Sequence, residues 1–388
     1  MAPRALFLSA SVGVGHTAAA AAVRDALVAS DPEFHCEIVD SYKYAASIFS
    51  KVVADGYIGM VKTVPQLYKY IYDRAERATE LGAFKKWLSQ YTASNLRTFV
   101  ERAQPNVVIC THAFPCGVMS EYKRQFAPDL PVVGIVTDFV VHPLWIFKNI
   151  DAYAVATPEI KAALLARGVA RERVHVCGIP ISPRFADPRR AKDDLREALT
   201  LPRDRTVVLM MGGGLGIGPI GSMIKALARV EEPIAGVVIA GKNEGQVRRV
   251  LEMAHTVDYP LRVLSFVNNV HEYMNACDIL VTKAGGLTAS EALAAAIPTV
   301  LVKPLPGQEE RNTRYLTERR AAVRVTSVRQ LPRVVDQLAR SPERRAELAG
   351  RMRALAHPNS AADVAQIVLE LAGHRAGGLS AVVRPLLG

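Results

Sequence analysis

The chain of 388 residues contains only five cysteines, and no two of them form a Cys-x-x-Cys pair. Scattered cysteines in odd number argue against a disulfide framework and a zinc knuckle, and they are typical of reduced thiols inside a cell. An Asp-x-Asp pair, which would hold a metal ion beside a diphosphate, is also missing. The sequence therefore predicts no metal and no cofactor.

Long hydrophobic runs are missing as well. No apolar stretch approaches the ~20 residues of a membrane-spanning helix, although hydrophobic residues make up 50% of the chain. The apolar start of the chain is shorter than the core of a signal peptide, and polar residues up to His16 interrupt it. We therefore predict no signal peptide and no transmembrane helix, and we interpret residues 5–9 as a first strand.

Aromatic residues are few, at 6% of the chain, while the formal net charge is +11. No nucleic-acid recognition motif accompanies this charge, so nucleic acid is not an expected partner. An anionic membrane surface is one alternative, because about five Lys or Arg side chains near such a surface contribute roughly 5 kcal/mol. That magnitude fits a peripheral protein, which we expect at the cytoplasmic face of a membrane. An ordinary solvated basic surface is the other explanation.

Short apolar runs alternate with helical patterns along the chain. Continuous apolar strands between helices are typical of parallel sheets that are covered on both faces, so the sequence predicts an α/β fold. Two groups of six strands predict two doubly wound, Rossmann-like domains. The predicted strands are 5–9, 36–39, 107–110, 132–136, 152–156, 174–177, 207–211, 236–240, 261–264, 279–282, 299–302 and 322–325.

The break between the two groups lies at the proline-rich stretch 178–183, which continues neither a helix nor a strand well. Ligands of such sheets bind outside the carboxyl ends of the strands, so two facing sheets would form a cleft between them. The predicted domains are an N-terminal domain over 1–180, a C-terminal domain over 181–356, a last helix over 357–373 and a flexible tail over 374–388.

The stretch 283–294 follows an apolar strand, passes through a glycine pair and enters a helix that we predict begins at Thr288 or Ser290. Such a turn points free backbone N–H groups and the positive helix end at one spot, which suits a phosphate group. Glu291 would repel phosphate, but its carboxylate fits the hydroxyls of a ribose. The alternative is a capping box, with Thr288 as the N-cap and Glu291 three residues later.

Two further glycine loops follow strands. The first, from Gly13 to Ala18, matches Gly-x-Gly-x-x-Ala, and Asp40 ends the next strand, as in a dinucleotide-binding domain. A glycine cluster over 212–218 follows a strand in the second half. One dinucleotide fingerprint does not explain glycine loops in both halves. Nor does it explain His16, an imidazole that the start of a helix would help to keep neutral.

Polar residues also follow two neighbouring strands of the first half. His112 comes after the strand 107–110, and Asp138 comes after the strand 132–136. Because the carboxyl ends of parallel strands meet at one edge of the sheet, where ligands bind, both lie at the expected cleft. Asp138 is therefore a candidate for the site, although it would also serve as the cap of the next turn.

Several of these motifs occur together in one family. The chain resembles, over residues 4–372, the glycosyltransferases that contain monogalactosyldiacylglycerol synthases and processive diacylglycerol glucosyltransferases (glycosyltransferase family 28). The motifs are Ser11-Val-Gly13-Val-Gly15-His16, Thr137-Asp138-Phe139 with His142 and Trp145, Gly178-Ile-Pro180-Ile, Gly241-Lys242-Asn243, Thr282-Lys-Ala-Gly285-Gly286-Leu-Thr288 with Ser290-Glu291, and Lys303-Pro-Leu-Pro306-Gly307-Gln308-Glu309 with Asn312.

The resemblance implies the GT-B fold, in which two Rossmann-like domains face each other and a C-terminal helix returns to the first. It also implies a UDP-glucose or UDP-galactose donor in the C-terminal domain, and a diacylglycerol or glycosyl-diacylglycerol acceptor in the N-terminal, membrane-binding domain. The expected donor contacts are Gly285, Gly286 and Thr288 for the diphosphate, Glu291 for the ribose, Gly213 and Gly214 through their backbone, Lys242 for the leaving charge, Phe266 and Val267 for the uracil, and Gln308 and Glu309 for the sugar hydroxyls.

His16 and Asp138 are the expected catalytic pair. The acceptor hydroxyl must lose a proton as it attacks the sugar, and a general base raises such a rate about 10²–10⁴-fold. Either Asp138 is the base, or it orients and polarises His16 as the base. The resemblance implies inversion, which gives a β-glycoside. The expected acceptor or membrane contacts are Gly15, His142, Trp145 and Trp87, the last on an amphipathic helix that would equally suit a core.

Three other interpretations stay open. A UDP-N-acetylglucosamine-dependent transferase with a polyprenyl-linked acceptor would use the same donor site. A non-catalytic UDP-sugar sensor would keep the donor site but would not need His16 or Asp138. An NAD-dependent dehydrogenase would bind its cofactor through Gly13 and Asp40.

Overall fold

The structure is a computed structural model that describes residues 2–10, 14–44, 80–142, 145–188, 190–213, 219–304 and 307–376, with the backbone alone for residues 80–88, 90 and 374–376. All twelve predicted strands are present, each within two residues of its predicted ends. They are β1 (Arg4–Ser9), β2 (His35–Asp40), β3 (Val107–Cys110), β4 (Val132–Ile135), β5 (Ala152–Val155), β6 (Val174–Val176), β7 (Thr206–Met211), β8 (Ile234–Ile239), β9 (Leu261–Leu264), β10 (Ile279–Thr282), β11 (Thr299–Val302) and β12 (Val323–Val325).

Helices connect most of these strands, as the alternating sequence pattern predicts. Those in the described ranges are α1 (Val14–Ser30), α2 (Glu80–Ala103), α3 (Ala113–Gln125), α4 (Pro158–Leu165), α5 (Lys192–Ala198), α6 (Ile220–Leu227), α7 (Glu244–Ala254), α8 (Val270–Ala276), α9 (Gly286–Ala295), α10 (Gln308–Glu318), α11 (Leu331–Arg340), α12 (Pro342–Leu355) and α13 (Ser360–Ala376).

The strands form two parallel sheets of six, one in each half of the chain. The N-terminal sheet has the order β2-β1-β3-β4-β5-β6, and the C-terminal sheet has the order β12-β11-β10-β7-β8-β9. The direction of winding reverses between β1 and β3 and between β7 and β10, and ligands of doubly wound sheets bind at the carboxyl ends beside such a reversal. The predicted α/β fold with two Rossmann-like halves is therefore confirmed.

Burial explains why the strands are continuously apolar in sequence. Every residue of β3 and of β10 is buried, because helices cover both faces of each sheet. One cluster of buried side chains runs from the N-terminal half into the C-terminal half and includes Ile179 and Ala284. The two halves therefore share part of one hydrophobic core.

The last helix, α13, returns to the N-terminal half. Its Val364 and Val368 are fully buried in the same cluster as Val23 and Leu27 of α1. The C-terminal helix implied by the resemblance is thus confirmed. The predicted domain boundaries at residues 180 and 356 fall between the two sheets and before α13, and they remain predictions. Of the predicted tail, residues 377–388 lie outside the described residues.

The amphipathic stretch with Trp87, which is predicted to contact the membrane, lies on α2. The Trp87 side chain lies outside the described part of this helix, and Tyr91, one turn further on, is 44% exposed. Within the described ranges, a helix with the length and apolar character needed to cross a membrane is not found.

Candidate active site

His16 lies in the first turn of α1, where the chain has just left β1. Its Nδ1 atom is 2.9 Å from the carbonyl oxygen of Thr111 and 2.9 Å from Thr137 Oγ1. A carbonyl oxygen only accepts, so Nδ1 carries the proton and donates it to Thr111, with Thr137 Oγ1 as a second acceptor. The other ring nitrogen, Nε2, then keeps its lone pair. His16 is therefore held in a tautomer that suits a general base.

The surroundings of the His16 ring keep it neutral. Burial lowers the pKa of His16 from 6.5 to about 4, and the hydrogen bond to Thr111 opposes this shift only in part. The ring of His112 stands edge-on to it, with the ring centroids 4.8 Å apart. Burial and then the neighbouring His16 hold the pKa of His112 well below its usual range. At neutral pH, both imidazoles are therefore uncharged and His16 is able to accept a proton.

Asp138, which follows β4, is bound from the opposite half of the chain. Its Oδ1 accepts a hydrogen bond from Asn312 Nδ2 at 3.0 Å, and its Oδ2 accepts one from Gln308 Nε2 at 2.9 Å. Burial raises the pKa of Asp138 from 3.8 to about 7; the Asn312 bond lowers it in part, and the charge of Glu309 raises it. The hydrogen bonds of Asp138 thus run to the C-terminal half rather than to His16.

The two halves touch at the start of α9. A Cβ atom on Gly286 would collide with the carbonyl oxygen of Thr137, so glycine is needed for this close approach of two backbones. At the start of α1, a Cβ on Gly15 would lie 3.8 Å from the Cβ of Leu287. The turn that carries His16 therefore faces the first turn of α9. Gly286 has a packing role here, and its contact with a diphosphate stays a prediction.

Helix α9 begins two residues earlier than the earliest predicted start. Gly285 is the N-cap, with φ −66° and ψ 139°, and no side chain caps the helix. The capping box with Thr288 and Glu291 is thus not formed, because the glycine backbone occupies the cap position upstream of it. Apart from its two neighbours in the chain, no described residue places an atom within 4 Å of where a Cβ on Gly285 would be. Since the first N–H groups of a helix lack partners within it, this open side suits an anionic group.

Thr288 and Glu291 lie three positions apart on α9 and therefore on one face of the helix. Both side chains are half-buried. Burial raises the pKa of Glu291 from 4.5 to about 8. Hydroxyl donors would favour the ionised form of such a carboxylate. The environment of Glu291 is thus compatible with its predicted contact with a ribose.

Lys283, directly after β10, brings a buried positive charge to the glycine loops. It is 8% exposed, and its Nζ atom pairs with Glu309 Oε1 at 3.0 Å. A Cβ on Gly213, whose φ is +79°, would lie 3.6 Å from Lys283 Cε. A buried ion pair contributes little stability, because desolvation opposes its attraction. Its position beside the glycine loops makes this ammonium group a candidate to bind an anionic group. Gly214 lies outside the described residues.

Lys242, the cation predicted for the leaving diphosphate, is exposed. Its Nζ atom lies 4.4 Å from the centroid of the Phe266 ring, which is a cation–π contact. Phe266 is 47% exposed and Val267, next to it, is half-buried. An exposed ring at the end of β9 offers a flat surface to a base. The uracil contact of Phe266 and Val267 and the diphosphate contact of Lys242 stay predictions.

Two predicted acceptor residues lie inside the N-terminal half. Trp145 is 3% exposed and His142 is 4% exposed. The Tyr153 hydroxyl donates to the carbonyl oxygen of Trp145 at 3.0 Å, which fixes the chain that follows Asp138. Both side chains are therefore buried within this half, and their direct contact with an acceptor stays a prediction.

Sequence reasoning assigned no role to four residues of this site: Lys283, Thr111, Thr137 and Asn312. Thr137, Lys283 and Asn312 lie within the motifs of the resemblance, and Thr111 and Lys283 directly follow β3 and β10. Both signals were therefore available. Their partners lie on other elements, such as His16 on α1 and Glu309 on α10, or in the other half. In the described ranges, no group of three or more His, Cys, Asp or Glu side chains has the arrangement to hold a metal ion.

Two protein families match the chain, one in each half. "Monogalactosyldiacylglycerol (MGDG) synthase" covers residues 16–181, and "Glycosyl transferases group 1" covers residues 191–354. The processive diacylglycerol beta-glucosyltransferase of Bacillus cytotoxicus is 26% identical over 369 residues, which are 95% of this chain and 94% of that protein. The protein of the same name from Bacillus pumilus is 28% identical over 367 residues, with 94% of each chain covered.

Solved structures show the same fold. MurG of Acinetobacter baumannii has a TM-score of 0.62 at 17% sequence identity, with 95% of this chain and 99% of that chain covered. Anabaena Alr3699/HepE in complex with UDP-glucose has a TM-score of 0.56 at 14% identity, with 95% and 99% covered. With both halves matched and relatives aligned over nearly their whole length, the chain belongs to the family of monogalactosyldiacylglycerol synthases and processive diacylglycerol glucosyltransferases, which are glycosyltransferases with the GT-B fold.

Proposed function

We propose that this chain is an inverting glucosyltransferase that moves glucose from UDP-glucose to diacylglycerol, or to a glucosyl-diacylglycerol, to make glycolipid. The observation that carries the proposal is the His16 ring, whose Nδ1–H is held by the carbonyl oxygen of Thr111 so that Nε2 is left to accept a proton. The choice of glucose and diacylglycerol is supported by the processive diacylglycerol beta-glucosyltransferases, which match 94–95% of this chain.

The UDP group is assigned to the C-terminal half. The diphosphate would lie at the open side of Gly285, where the helix end supplies about half a positive charge. A leaving diphosphate carries more negative charge than this, and the ammonium group of Lys283 would neutralise the rest. Glu291 would accept the ribose hydroxyls, and Phe266 and Val267 would contact the uracil.

The glucose would lie against the first turn of α10. Gln308 and Glu309 occupy this turn, and they now bond to Asp138 and Lys283 respectively. In the donor complex, their remaining hydrogen-bonding capacity would be used by sugar hydroxyls. An unpaired buried polar group costs about 1–3 kcal/mol, so a hexose with a misplaced hydroxyl would bind more weakly.

The reaction is a single displacement. The acceptor oxygen attacks C1 of glucose while its proton passes to Nε2 of His16. The bond from C1 to the diphosphate oxygen breaks, and UDP leaves with the bonding electrons. Attack from the face opposite the leaving group converts the α-linkage of UDP-glucose into a β-glycoside. The Asp138 carboxylate, in this scheme, stabilises the positive charge that develops on the sugar and on His16.

The pH dependence of kcat at saturating UDP-glucose should show the ionisation of Asp138, because kcat reports the groups of the complex, in which the ribose would already bind Glu291. The ionised carboxylate is the active form, so activity is lost as the pH falls through the Asp138 pKa of about 7. The His16 ring alone would lose activity only near its pKa of about 4. In the wild type, we expect the acidic limb of the pH–rate profile to have its midpoint near the Asp138 pKa. In Asp138→Asn, the midpoint of this limb should move to the His16 pKa, and the maximal rate should be lower. A wild-type profile whose acidic limb lies at the His16 pKa would contradict a requirement for ionised Asp138.

The acceptor would be taken from an anionic membrane surface at its cytoplasmic face. The formal net charge of +11 favours such a surface. Two exposed apolar side chains of the N-terminal half, Tyr91 and Val140, are available to it at 44% and 36% exposure. The cysteines are all free, as is usual in a reducing compartment. Peripheral docking would bring the lipid hydroxyl to the cleft edge without a membrane span.

A donor panel tests this proposal. Initial rates are measured with UDP-glucose, UDP-galactose, UDP-N-acetylglucosamine or NAD, with diacylglycerol in anionic vesicles and in neutral vesicles. We expect UDP-glucose to give the highest kcat/KM, and anionic vesicles to give faster turnover than neutral ones. A preference for either other UDP-sugar would correct the sugar. Binding of UDP-sugars without any glycolipid would indicate a sensor, and a requirement for NAD would contradict the proposal entirely.

A further inference from the structure

Three consecutive residues of the N-terminal half connect the two halves at the active site. Thr137 Oγ1 accepts from Nδ1 of His16 at 2.9 Å. The next residue, Asp138, is bound by the side chains of α10. The ring of Phe139 then stacks on Tyr315 of α10, with centroids 5.1 Å apart and an interplanar angle of 16°. This segment, residues 137–139, therefore contacts the proposed base on one side and the C-terminal half on the other.

Asn312 on α10 uses all of its hydrogen-bonding groups around this segment. Its Nδ2 donates to Asp138 Oδ1 at 3.0 Å and to the carbonyl oxygen of Ala284 at 3.1 Å, and its Oδ1 accepts from the backbone N–H of Phe139 at 3.0 Å. The side chain is 1% exposed. Only a primary amide has two donors on one atom and an acceptor beside it, and of the two such side chains only asparagine is this short. The three partners thus require asparagine.

These partners belong to different parts of the molecule. Ala284 precedes Gly285 in the loop to which we assign the diphosphate, in the same half as Asn312. Asp138 and Phe139 lie in the other half, and Asp138 is 174 positions away in the chain. When the halves separate, the bonds from Asn312 to Asp138 and Phe139 must break, whereas the bond to Ala284 does not need to.

We propose that Asn312 is a positioning residue that holds Asp138 and the 137–139 segment in the reactive arrangement only when the two halves are closed. This inference rests on the proposed function, because it concerns the same reaction. In the open form, Asp138 and the Phe139 amide both lose their bonds to Asn312, so the segment that carries Thr137, a partner of His16, is no longer held from the C-terminal half. Closure over the donor therefore assembles the catalytic groups, and an open molecule does not hydrolyse UDP-glucose at an appreciable rate.

The charged groups around Asp138 determine how the loss of Asn312 would change the Asp138 pKa. From the C-terminal half, Glu309 raises the pKa of Asp138 and the Asn312 bond lowers it, while Lys283 is paired with Glu309. From the N-terminal half, His16 contacts the same segment through Thr137. Removal of the amide donor should therefore raise the Asp138 pKa further and move the acidic limb to higher pH.

The test begins with Asn312→Leu, which removes all three bonds, and Asn312→Ser, a smaller change that keeps the protein testable if the first variant fails to fold. We expect kcat to fall by about 10- to 100-fold, as for the loss of a hydrogen bond to a charged group. The acidic limb should rise by about one pH unit. In the Asp138→Asn background, Asn312→Leu should cost less than about threefold, because residues that act through each other are not additive.

Arg319→Gln is the matched control. The Arg319 guanidinium pairs with Glu159 across the two halves and lies 3.9 Å from the Tyr315 ring centroid. Its loss removes a bridge between the halves without removing a hydrogen bond of Asp138. The acidic limb should stay in place in this variant, which separates a general weakening of the interface from the positioning of Asp138.

A second readout needs no turnover. The Phe139 amide bonds to Asn312, so hydrogen exchange at this amide reports contact between the halves. We expect exchange to become faster in Asn312→Leu and Asn312→Ser than in Arg319→Gln. Unchanged exchange, an unchanged acidic limb, or a full loss of rate in the Asp138→Asn background would each overturn the inference. A wild-type protein that makes no glycolipid would overturn the proposed function, whereas faster exchange in the two variants would still show that Asn312 joins the halves.

Discussion

The variant His16→Ala should lose glucosyl transfer by about 10²–10⁴-fold in kcat, because a positioned general base supplies a factor of this size. Its affinity for UDP should stay within about threefold of the wild type, since His16 makes none of the proposed UDP contacts. The His16 ring is bonded to Thr111 and Thr137 of the N-terminal half, whereas the proposed UDP contacts lie in the other half. Initial rates of glycolipid formation and calorimetric titration with UDP measure the two quantities.

His112→Ala is the control for this variant. The Nδ1 atom of His112 accepts from the backbone N–H of Phe114 at 3.1 Å and caps α3. Loss of a helix cap costs about 0.5–2 kcal/mol of stability, but it does not remove the proton acceptor. The control should therefore be less stable and lose less rate than His16→Ala, and added imidazole should rescue only His16→Ala. Full kcat in His16→Ala would exclude His16 as the base.

The second large effect is expected for Lys283→Met. A hydrogen bond to a charged group is worth about 1.5–3 kcal/mol, so the affinity for UDP should fall by about 10- to 150-fold. Uridine has no phosphate, so its affinity should not change. The rate should fall as well, because the leaving diphosphate would lose the buried charge that neutralises it. Titrations with UDP and uridine separate this effect from a general disturbance of the site.

Two other variants show whether the affinity for UDP depends on the charge of Lys283 or on its ion pair with Glu309. Glu309→Gln removes the partner of Lys283 and keeps the ammonium group, so the preference for UDP over uridine should remain. Lys242→Met removes the cation that lies over Phe266, and it should weaken UDP less than Lys283→Met does. If Lys242→Met instead carries the larger loss, the original sequence-based assignment of the diphosphate cation is correct.

Most of the fold is predictable because parallel strands covered on both faces have unbroken apolar sequences. Strands β3, β9, β10 and β11 begin and end at the predicted residues. Strand β8 begins two residues before its predicted start, because its pairing with β7 continues to Ile234 opposite Thr206. The ends of strands depend on the neighbouring strand, which a local pattern does not contain.

The start of α9 shows a similar limit. Thr288 and Glu291 satisfy the capping-box pattern, so the sequence predicts a helix that begins there. The helix instead begins at Gly286, whose missing side chain lets α9 approach the backbone of Thr137. Contact between the two halves, rather than local capping chemistry, therefore determines where this helix begins.

The positions of His16 and Asp138 in the fold are predictable from the sequence, whereas their bonds are not. Both residues follow strands of the N-terminal sheet at its carboxyl edge, as the sequence pattern predicts. Their partners are not local. Asp138 bonds to Gln308 and Asn312, which are 170 and 174 positions away, and only the packing of the two halves brings these groups together.

The most direct test of the central claim is the chemistry of the product. Wild-type protein is incubated with UDP-glucose carrying carbon-13 at the anomeric carbon and with diacylglycerol in anionic vesicles, and the configuration of the lipid-bound glucose is determined by NMR. We expect β-glucosyl-diacylglycerol in an amount equal to the UDP released. Release of UDP with free glucose, or an α-linked glycolipid, would contradict a single displacement by a lipid hydroxyl activated by His16.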